Sequence, residues 1–305
     1  MPLDSAVAPS ATARRARIAV GAQNAHGLRV QRVYGRSILN SFHAIWSIGA
    51  VTGGAMAAAA IALRLPIGIH LGISAALFAT VALIAGRSTL RGPDPENIST
   101  GPADPAGPPA PKTLRPRTVV TIVAWVLIAI AGTTVEDAGF SWSALYLGTD
   151  LGAPAPLAAA GLIALVGAQF VGRMVGDPLV DRFGQRSVAR AGGLIAAVGM
   201  GAALLAPSVP GTIAGFAAAG FGVATLVPAA MAEADELPGL RHGTGLTLVS
   251  WLMRLGFLAS PPIVGAVSES IGLGGALWVI PLAGAAVIAL GGALSTRPRA
   301  TPAAT

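Results

Sequence analysis

The chain has 305 residues, of which 53% are hydrophobic and only 11% are charged, and its formal net charge is +7. A soluble domain carries about 25% charged residues, so this chain has too little polar surface for a water-soluble globule and is predicted to be an integral membrane protein. Excess arginine is typical of the cytoplasmic side of such proteins, which makes nucleic-acid binding the weaker interpretation of the charge. The lack of cysteine excludes disulfides and thiolate metal sites.

The part of the chain before residue 118 is predicted to hold two membrane-spanning helices and a linker. Residues 1–17 lack the apolar run of a signal peptide, and we expect them to be disordered or foreign to the fold. The charge-free windows 37–63 and 65–86 are each long enough for a span, which needs about 20 mostly apolar residues. Residues 87–117 form a linker, whose segment 92–117 has eight prolines and is expected to be extended.

Six further helices are predicted after the linker, which gives about eight in all. They occupy 118 to about 147, 151–172, the two parts of 191–232, 242–268 and 270–296. The sequence PSVPG at 207–211 separates the two helices of the long window. These runs lack the alternation of an outer-membrane barrel, so the predicted fold is an all-α membrane protein.

The basic residues predict the orientation of these helices. Eighteen of the 20 Lys and Arg residues fall on one side of the membrane if both termini and the linker share that side. The positive-inside rule makes this side cytoplasmic, and an even number of helices agrees with two cytoplasmic termini. We expect a multi-pass protein of the bacterial inner membrane.

One short segment, GRMVGDPLVDRFGQR at 172–186, places five charges between two charge-free windows. We predict that it forms a cytoplasmic loop, whose candidate functional residues are Gly172, Arg173, Gly176, Asp177, Asp181, Arg182, Gly184 and Arg186. Gly172 and Gly176 would keep one helix face flat for a close neighbour. Gly184 would permit a tight reversal, and Arg186 would face the phosphate headgroups. An acid at such a turn can also approach the positive end of a nearby helix.

The core of this segment, from Asp181 to Arg186, resembles the signature loop of the major facilitator superfamily, roughly Gly-x-x-x-Asp-Arg-x-Gly-Arg-Lys. It departs from the pattern because Gly176 lies five residues before Asp181 and Gln185 replaces a base. An ordinary positive-inside loop is the alternative. Three further segments resemble the fucose-permease-like branch of that superfamily: 19–51 the end of its helix four and its helix five, 136–147 its seventh helix and 257–267 its eleventh.

The resemblance implies a twelve-helix fold made of two six-helix halves. On that scheme 18–86 holds the end of helix four with helices five and six, 118–295 is the complete second half, and 296–305 is a cytoplasmic tail. Helices one to three would be missing, either because the start site is wrong or because the chain is truncated.

Polar and aromatic residues in the predicted spans are candidates for a solute or proton path: Glu136, Arg254, Gln169, Trp142, Asn40 and His43. A charge inside a span costs roughly 2.5–3.5 kcal/mol on insertion scales, so it normally faces a cavity or a partner. Two interpretations of Glu136 are open: it takes part in proton coupling, or it lies in contact with water at the outer rim of the membrane. We also consider that Glu136 and Arg254 share one cavity. His43 can titrate near neutrality, although His43 and Gln169 also fit ordinary helix packing.

The predicted function is transport of a small solute by alternating access, with protons as a candidate coupling ion. No nucleophile–base pair or metal cluster indicates an enzyme, and no cofactor or nucleic-acid partner is expected. The alternative is a non-transporting membrane remnant or partner subunit. The sequence leaves open the solute, the direction of transport, the coupling ion and the oligomeric state.

Overall fold

A computed structural model describes residues 11–90, 116–236 and 244–296, and within these ranges all regular structure is helical. The helices are α1 (Ala11–Tyr34), α2 (Leu39–Ala62), α3 (Ile67–Gly86), α4 (Pro116–Leu145), α5 (Ala155–Leu205), α6 (Val209–Val223), α7 (Leu226–Asp235), α8 (Thr244–Ala276) and α9 (Val279–Leu290). A π-helical turn, Tyr146–Asp150, extends α4, and a 3-10 turn, Gly291–Ala293, follows α9.

Five stretches of the described residues are long and apolar enough to cross a membrane. They are Ile67–Gly86, Pro116–Asp150, Leu157–Leu205, Val209–Asp235 and Thr244–Ala276. The all-helical, multi-pass prediction is therefore confirmed in this coarser form. The count of eight helices and the correspondence to two six-helix halves stay predictions.

Two glycines break the longest helices. Gly184 has φ 77° and ψ 157°, and Gly272 has φ 78° and ψ 163°. This region of backbone space is essentially restricted to glycine, because a Cβ atom would clash there. Gly172 and Gly192 lie on opposite sides of the first break, yet both pack against the segment 221–224. The chain therefore reverses at Gly184, where the sequence predicted a tight turn.

The charged segment corrects one expectation from the sequence. Gly172, Arg173, Gly176 and Asp177 lie inside the first arm of α5, which runs from Ala155 to Gly184, and not in a loop. Clustered charge looked like a loop in the sequence, but these side chains have partners in the interior that let the helix continue. The N-terminus differs too, since residues 11–17 belong to α1.

The post-linker helices, α4 to α9, pack around one apolar core. Its fully buried members include Ile128, Leu165, Phe216, Val249 and Ile280. Small residues let the backbones approach closely, as is typical of membrane helices. A Cβ atom at Gly192 would lie 2.2 Å from the carbonyl oxygen of Gly222, so no larger residue fits this crossing.

The pre-linker helices, α1 to α3, contact this bundle mainly through α1 and α2. Leu28 and Leu39 form a small apolar cluster with Met231, Ala232 and Leu246 of α7 and α8. None of the residues of α3 is buried, so its apolar side chains are available to lipid. Residues 1–10, 91–115, 237–243 and 297–305, which hold most of the predicted linker and tail, lie outside the described residues.

The orientation is tested by cysteine labelling, because the chain has no native cysteine. We expect Ser99→Cys, in the predicted cytoplasmic linker, to resist an impermeant maleimide added to intact cells and to react in inside-out vesicles. Asp150→Cys, in the exposed turn after α4, is the control and should react in intact cells. Labelling of Ser99→Cys from outside would reverse the assigned orientation.

Candidate functional site

The site begins where α2 starts. Gly35, with φ 70°, ends α1, and the chain turns back into α2 within a few residues. The first backbone N–H groups of a helix have no partner inside it. Gln31 supplies a partner for two such groups, because its Oε1 accepts hydrogen bonds from the backbone N–H groups of Ile38 (2.9 Å) and Leu39 (3.1 Å).

Two acids of the charged segment complete the cap of α2. Asp177 Oδ1 accepts from the backbone and side-chain nitrogens of Asn40, at 3.2 and 2.9 Å. Its Oδ2 accepts from the backbone nitrogen and hydroxyl of Ser41, at 2.8 and 2.5 Å. Asp181 Oδ1 accepts from the backbone nitrogen of Ser37 at 3.1 Å. Negative charge is favourable at a helix N-terminus, so the expected approach of an acid to a helix end is present in the structure.

The hydrogen bonds that Asp177 and Asp181 accept at the start of α2 form a joint between α2 and α5. This joint connects the part of the chain before the linker to the part after it. Asp177 and Asn40 are 4 and 5% exposed, so their hydrogen bonds form away from water. A Cβ atom at Gly176 would lie 2.8 Å from the Thr225 side chain and 3.1 Å from Asn40. The close packing of α5 against α2 therefore requires glycine at this position. A second link is the ion pair between Arg32 of α1 and Asp235 of α7, at 2.5 Å.

Arg186 of the segment and Arg190, four residues later, bind carbonyl oxygens at the end of the last helix. Arg186 donates from Nε to the carbonyl oxygen of Leu294 (3.0 Å) and from a terminal nitrogen to that of Gly292 (2.6 Å). Arg190 Nε donates to the carbonyl oxygen of Ile288 at 3.1 Å. Carbonyls at a helix C-terminus lack internal partners, and arginines satisfy them here. Arg186 was expected to face phosphate headgroups, and this assignment is corrected.

Arg186 and Arg182 make a matched pair for a stability test. Arg182 is exposed and its guanidinium lies 5.2 Å from the ring centroid of Phe183. Arg186→Gln should lower the free energy of unfolding by about 1–2 kcal/mol, because it removes two charge-assisted hydrogen bonds at a partly exposed site. Arg182→Gln should change it by less than about 0.5 kcal/mol. Thermal unfolding in detergent measures both, and equal losses would contradict the capping role of Arg186.

A buried polar cluster lies deeper between α2, α4 and α5. Arg173 is 5% exposed. One terminal nitrogen of its guanidinium, NH1, donates to the hydroxyl of Ser47 at 2.8 Å, and the other, NH2, lies 3.8 Å from Glu136 Oε1. Gln169 is 3% exposed and interacts with the Glu136 side chain. We call these four residues the Arg173 cluster.

The depth of the Arg173 cluster follows from helix geometry. Arg173 precedes the reversal at Gly184 by 11 residues, and Ser47 follows the start of α2 by eight. At about 1.5 Å per residue the two lie roughly 16 and 12 Å from the end of the bundle that carries the joint. The hydrocarbon core is about 30 Å thick, so a joint at the membrane surface would place the cluster near the middle of the membrane.

The remaining candidates from the sequence are Arg254, His43 and Trp142. Arg254 is half-buried on α8, where its Nε donates to the Ser250 carbonyl and its guanidinium lies 5.9 Å from the Trp251 ring. The described ion pairs join Glu136 to Arg173 and not to Arg254, and a cavity shared by Glu136 and Arg254 stays a prediction. The ring nitrogens His43 Nε2 and Trp142 Nε1 are buried without a hydrogen-bond partner among the described residues.

Sequence reasoning missed Arg173 and Ser47 as interior residues. A signal for Arg173 was present, because Gln169, Arg173, Asp177 and Asp181 follow one another at intervals of four and so share one face of a helix. Ser47 gave no such signal. Within the described residues, no group of three or more His, Cys, Asp and Glu side chains could hold a metal ion.

Comparisons with known proteins agree with this architecture. Residues 165–305 match the family model of the Major Facilitator Superfamily. The membrane protein MosC of Rhizobium meliloti is 38% identical over 156 residues, which cover 51% of this chain and 38% of the relative. An uncharacterized transporter of Sinorhizobium fredii, y4wD, is 28% identical over 273 residues, or 88% of this chain and 68% of the relative.

A third relative, an uncharacterized MFS-type transporter of Yersinia pestis, is 25% identical over 261 residues, covering 86% of this chain and 65% of the relative. The matched part therefore spans from 38 to 68% of the length of these relatives. No solved structure gives a significant match. The predicted resemblance to the superfamily is confirmed for residues 165–305, and two of these relatives are transporters by description.

Proposed function

We propose that this chain belongs to the major facilitator superfamily and moves a small solute across the bacterial inner membrane by alternating access. The joint between α2 and α5 is the observation that carries this proposal. Four hydrogen bonds from Asn40 and Ser41 to Asp177, together with that from Ser37 to Asp181, hold a pre-linker helix against a post-linker helix. On the predicted orientation, these bonds close the cytoplasmic side.

The proposed transport cycle follows from the nature of these bonds. Asp177 and Asp181 bind polar groups at the N-terminus of α2 that water can hydrogen-bond in their place, so breaking these bonds leaves no polar group without a partner. Opening would separate α2 from α5 and give the cytoplasm access to the Arg173 cluster near the middle of the membrane. Solute sites of such transporters lie near that depth, between the two parts that move.

We propose Glu136 as the residue that takes up a coupling proton. It is the carboxyl group of the Arg173 cluster, and its partners come from the first arm of α5. Protonation would weaken its attraction to Arg173, and Arg173 in turn binds Ser47 of α2. A change in charge at Glu136 would thus reach the contact between the pre-linker and post-linker helices.

We further propose that α2 and α3 correspond to helices five and six of the twelve-helix scheme, and α4 to α9 to its second half. We also propose that the chain belongs to the fucose-permease-like branch of the superfamily. The alternative, a non-transporting remnant or partner subunit, is not favoured, because the relatives from Sinorhizobium fredii and Yersinia pestis are transporters by description.

Labelling of a buried position at the joint tests the proposed motion. Ala229 of α7 is 5% exposed and lines a small cavity beside Asn40 and Asp177. In inside-out vesicles we expect Ala229→Cys to react slowly but completely with an impermeant maleimide, because the cytoplasmic side opens transiently. Ala196→Cys, in the fully buried core of the post-linker bundle, is the control and should stay unlabelled. Equal resistance of both positions would contradict alternating access.

A further inference from the structure

The guanidinium of Arg173 has more hydrogen-bond donors than the structure satisfies. A guanidinium carries five N–H donors and no acceptor. The hydroxyl of Ser47 accepts one of them at 2.8 Å. Glu136 Oε1 lies 3.8 Å from the nearest guanidinium nitrogen, which is too far for a hydrogen bond. The Nε atom is buried and has no partner among the described residues.

Glu136 therefore compensates the charge of Arg173 but leaves its donors open. A buried donor without an acceptor costs about 1–3 kcal/mol, and more when the group is charged. Natural proteins seldom keep such a group in the interior without a role. The neighbouring ring nitrogen, His43 Nε2, is buried and without a described partner as well, and the His43 carbonyl accepts from Ser47 one turn later on α2.

We propose that Arg173 binds a carboxylate group of the transported solute, which replaces the loose ion pair with Glu136. The inference rests on the proposed transport function and names the chemical class of its solute. A carboxylate can accept two parallel hydrogen bonds from the fork of an arginine, at 2.7–2.9 Å, which Glu136 does not reach.

The charge of the cluster selects a singly charged oxyanion. Arg173 and Glu136 together are neutral, and a solute carboxylate that takes over the guanidinium adds one negative charge, which the coupling proton proposed for Glu136 would neutralise. A dianion such as phosphate would add two charges at a site near the middle of the membrane, where each uncompensated charge costs several kcal/mol. Ser47 holds the guanidinium between α2 and α5, so the bound carboxylate would contact both moving parts.

Acetate and acetamide are matched probes for this proposal, because they share a shape and differ in charge. The purified full chain is heated in detergent with either compound at equal ionic strength. We expect acetate to raise the unfolding midpoint of the wild-type protein weakly and acetamide not at all. In Glu136→Gln the competing carboxylate is gone, so acetate should bind about tenfold or more tightly than in wild type. Arg173→Gln should show no preference for acetate.

Two controls separate this site from general salt effects. Arg117→Gln, which removes an exposed arginine at the start of α4, should respond to acetate like the wild type. Inorganic phosphate should bind Glu136→Gln more weakly than acetate does. A preference for acetate that persists in Arg173→Gln, or a stronger effect of phosphate, would overturn the proposal.

A second measurement covers the case in which Glu136→Gln does not accumulate as a folded protein. The labelling rate of Ala229→Cys in otherwise wild-type protein is then compared in acetate and acetamide. A carboxylate that bridges α5 to α2 should slow labelling, and equal rates would refute the proposal. If Ala229→Cys shows the expected slow but complete labelling while acetate has no effect on any variant, the result supports alternating access and refutes the proposed binding of a carboxylate.

Discussion

Replacing Arg173 by Gln is expected to lower the free energy of unfolding by about 3–5 kcal/mol, because the change leaves the carboxylate of Glu136 buried without its counter-ion. Both side chains are largely excluded from the surface, at 6 and 13% exposure. Glu136→Gln should lower the free energy of unfolding by a similar amount, because it leaves the guanidinium of Arg173 buried without its counter-ion. Removing one partner is expensive because the remaining charge keeps its desolvation cost and loses its compensation.

The double variant Arg173→Gln/Glu136→Gln should be more stable than the sum of the two single changes predicts, and more stable than either single variant. A double-mutant cycle on unfolding in detergent measures this coupling. Arg254→Gln combined with Glu136→Gln is the matched control and should be additive within about 0.5 kcal/mol, because the two residues do not pair in the structure. Additivity of the Arg173 pair would show that the separation of 3.8 Å carries no energetic coupling.

Replacing Asp177 by Asn is expected to shift the protein toward the state that is open on the cytoplasmic side by about 2–3 kcal/mol, or roughly 30- to 150-fold in population. The substitution weakens four hydrogen bonds to the N-terminus of α2 and removes the negative charge that complements this helix end. The labelling rate of Ala229→Cys in inside-out vesicles should rise accordingly.

Asp181 and Asp150 provide graded controls for this effect. Asp181→Asn should raise the labelling rate less, because Asp181 accepts only one described hydrogen bond, from the backbone of Ser37. Asp150→Asn should leave the rate unchanged, since Asp150 is exposed in the turn after α4 and contacts Thr149. An unchanged rate in Asp177→Asn, with normal amounts of protein in the membrane, would reduce the joint to a purely structural cap.

The sequence was sufficient to predict those features that depend on local pattern. Apolar windows predicted the spanning helices, because a span needs a long uncharged run whatever it packs against. Gly184 was identified as the reversal because few other residues fit such a turn. An acid near a helix N-terminus was expected from electrostatics alone, although the sequence did not specify that Asp177, more than Asp181, makes most of the bonds.

The buried cluster could not be predicted because it depends on which helix faces which. Arg173 lies among other charges, so the sequence suggested a loop, and only the packing of α2 and α4 shows that its guanidinium is interior. Arg254 stands alone in an apolar window and looked like an interior residue. The rotation of α8 instead places it half-buried beside Trp251. The pairing of Glu136 with Arg173 is a tertiary fact that spacing along the chain does not contain.

The distance between Arg36 and Arg182 tests alternating access most directly. Both side chains are exposed, one at the end of the pre-linker helix α1 and the other beside the reversal in α5. With spin labels at Arg36→Cys and Arg182→Cys in a lipid bilayer, we predict two distance populations, and Asp177→Asn should move weight to the longer one. A single population that Asp177→Asn leaves unchanged would contradict a cytoplasmic side that opens and closes at this joint.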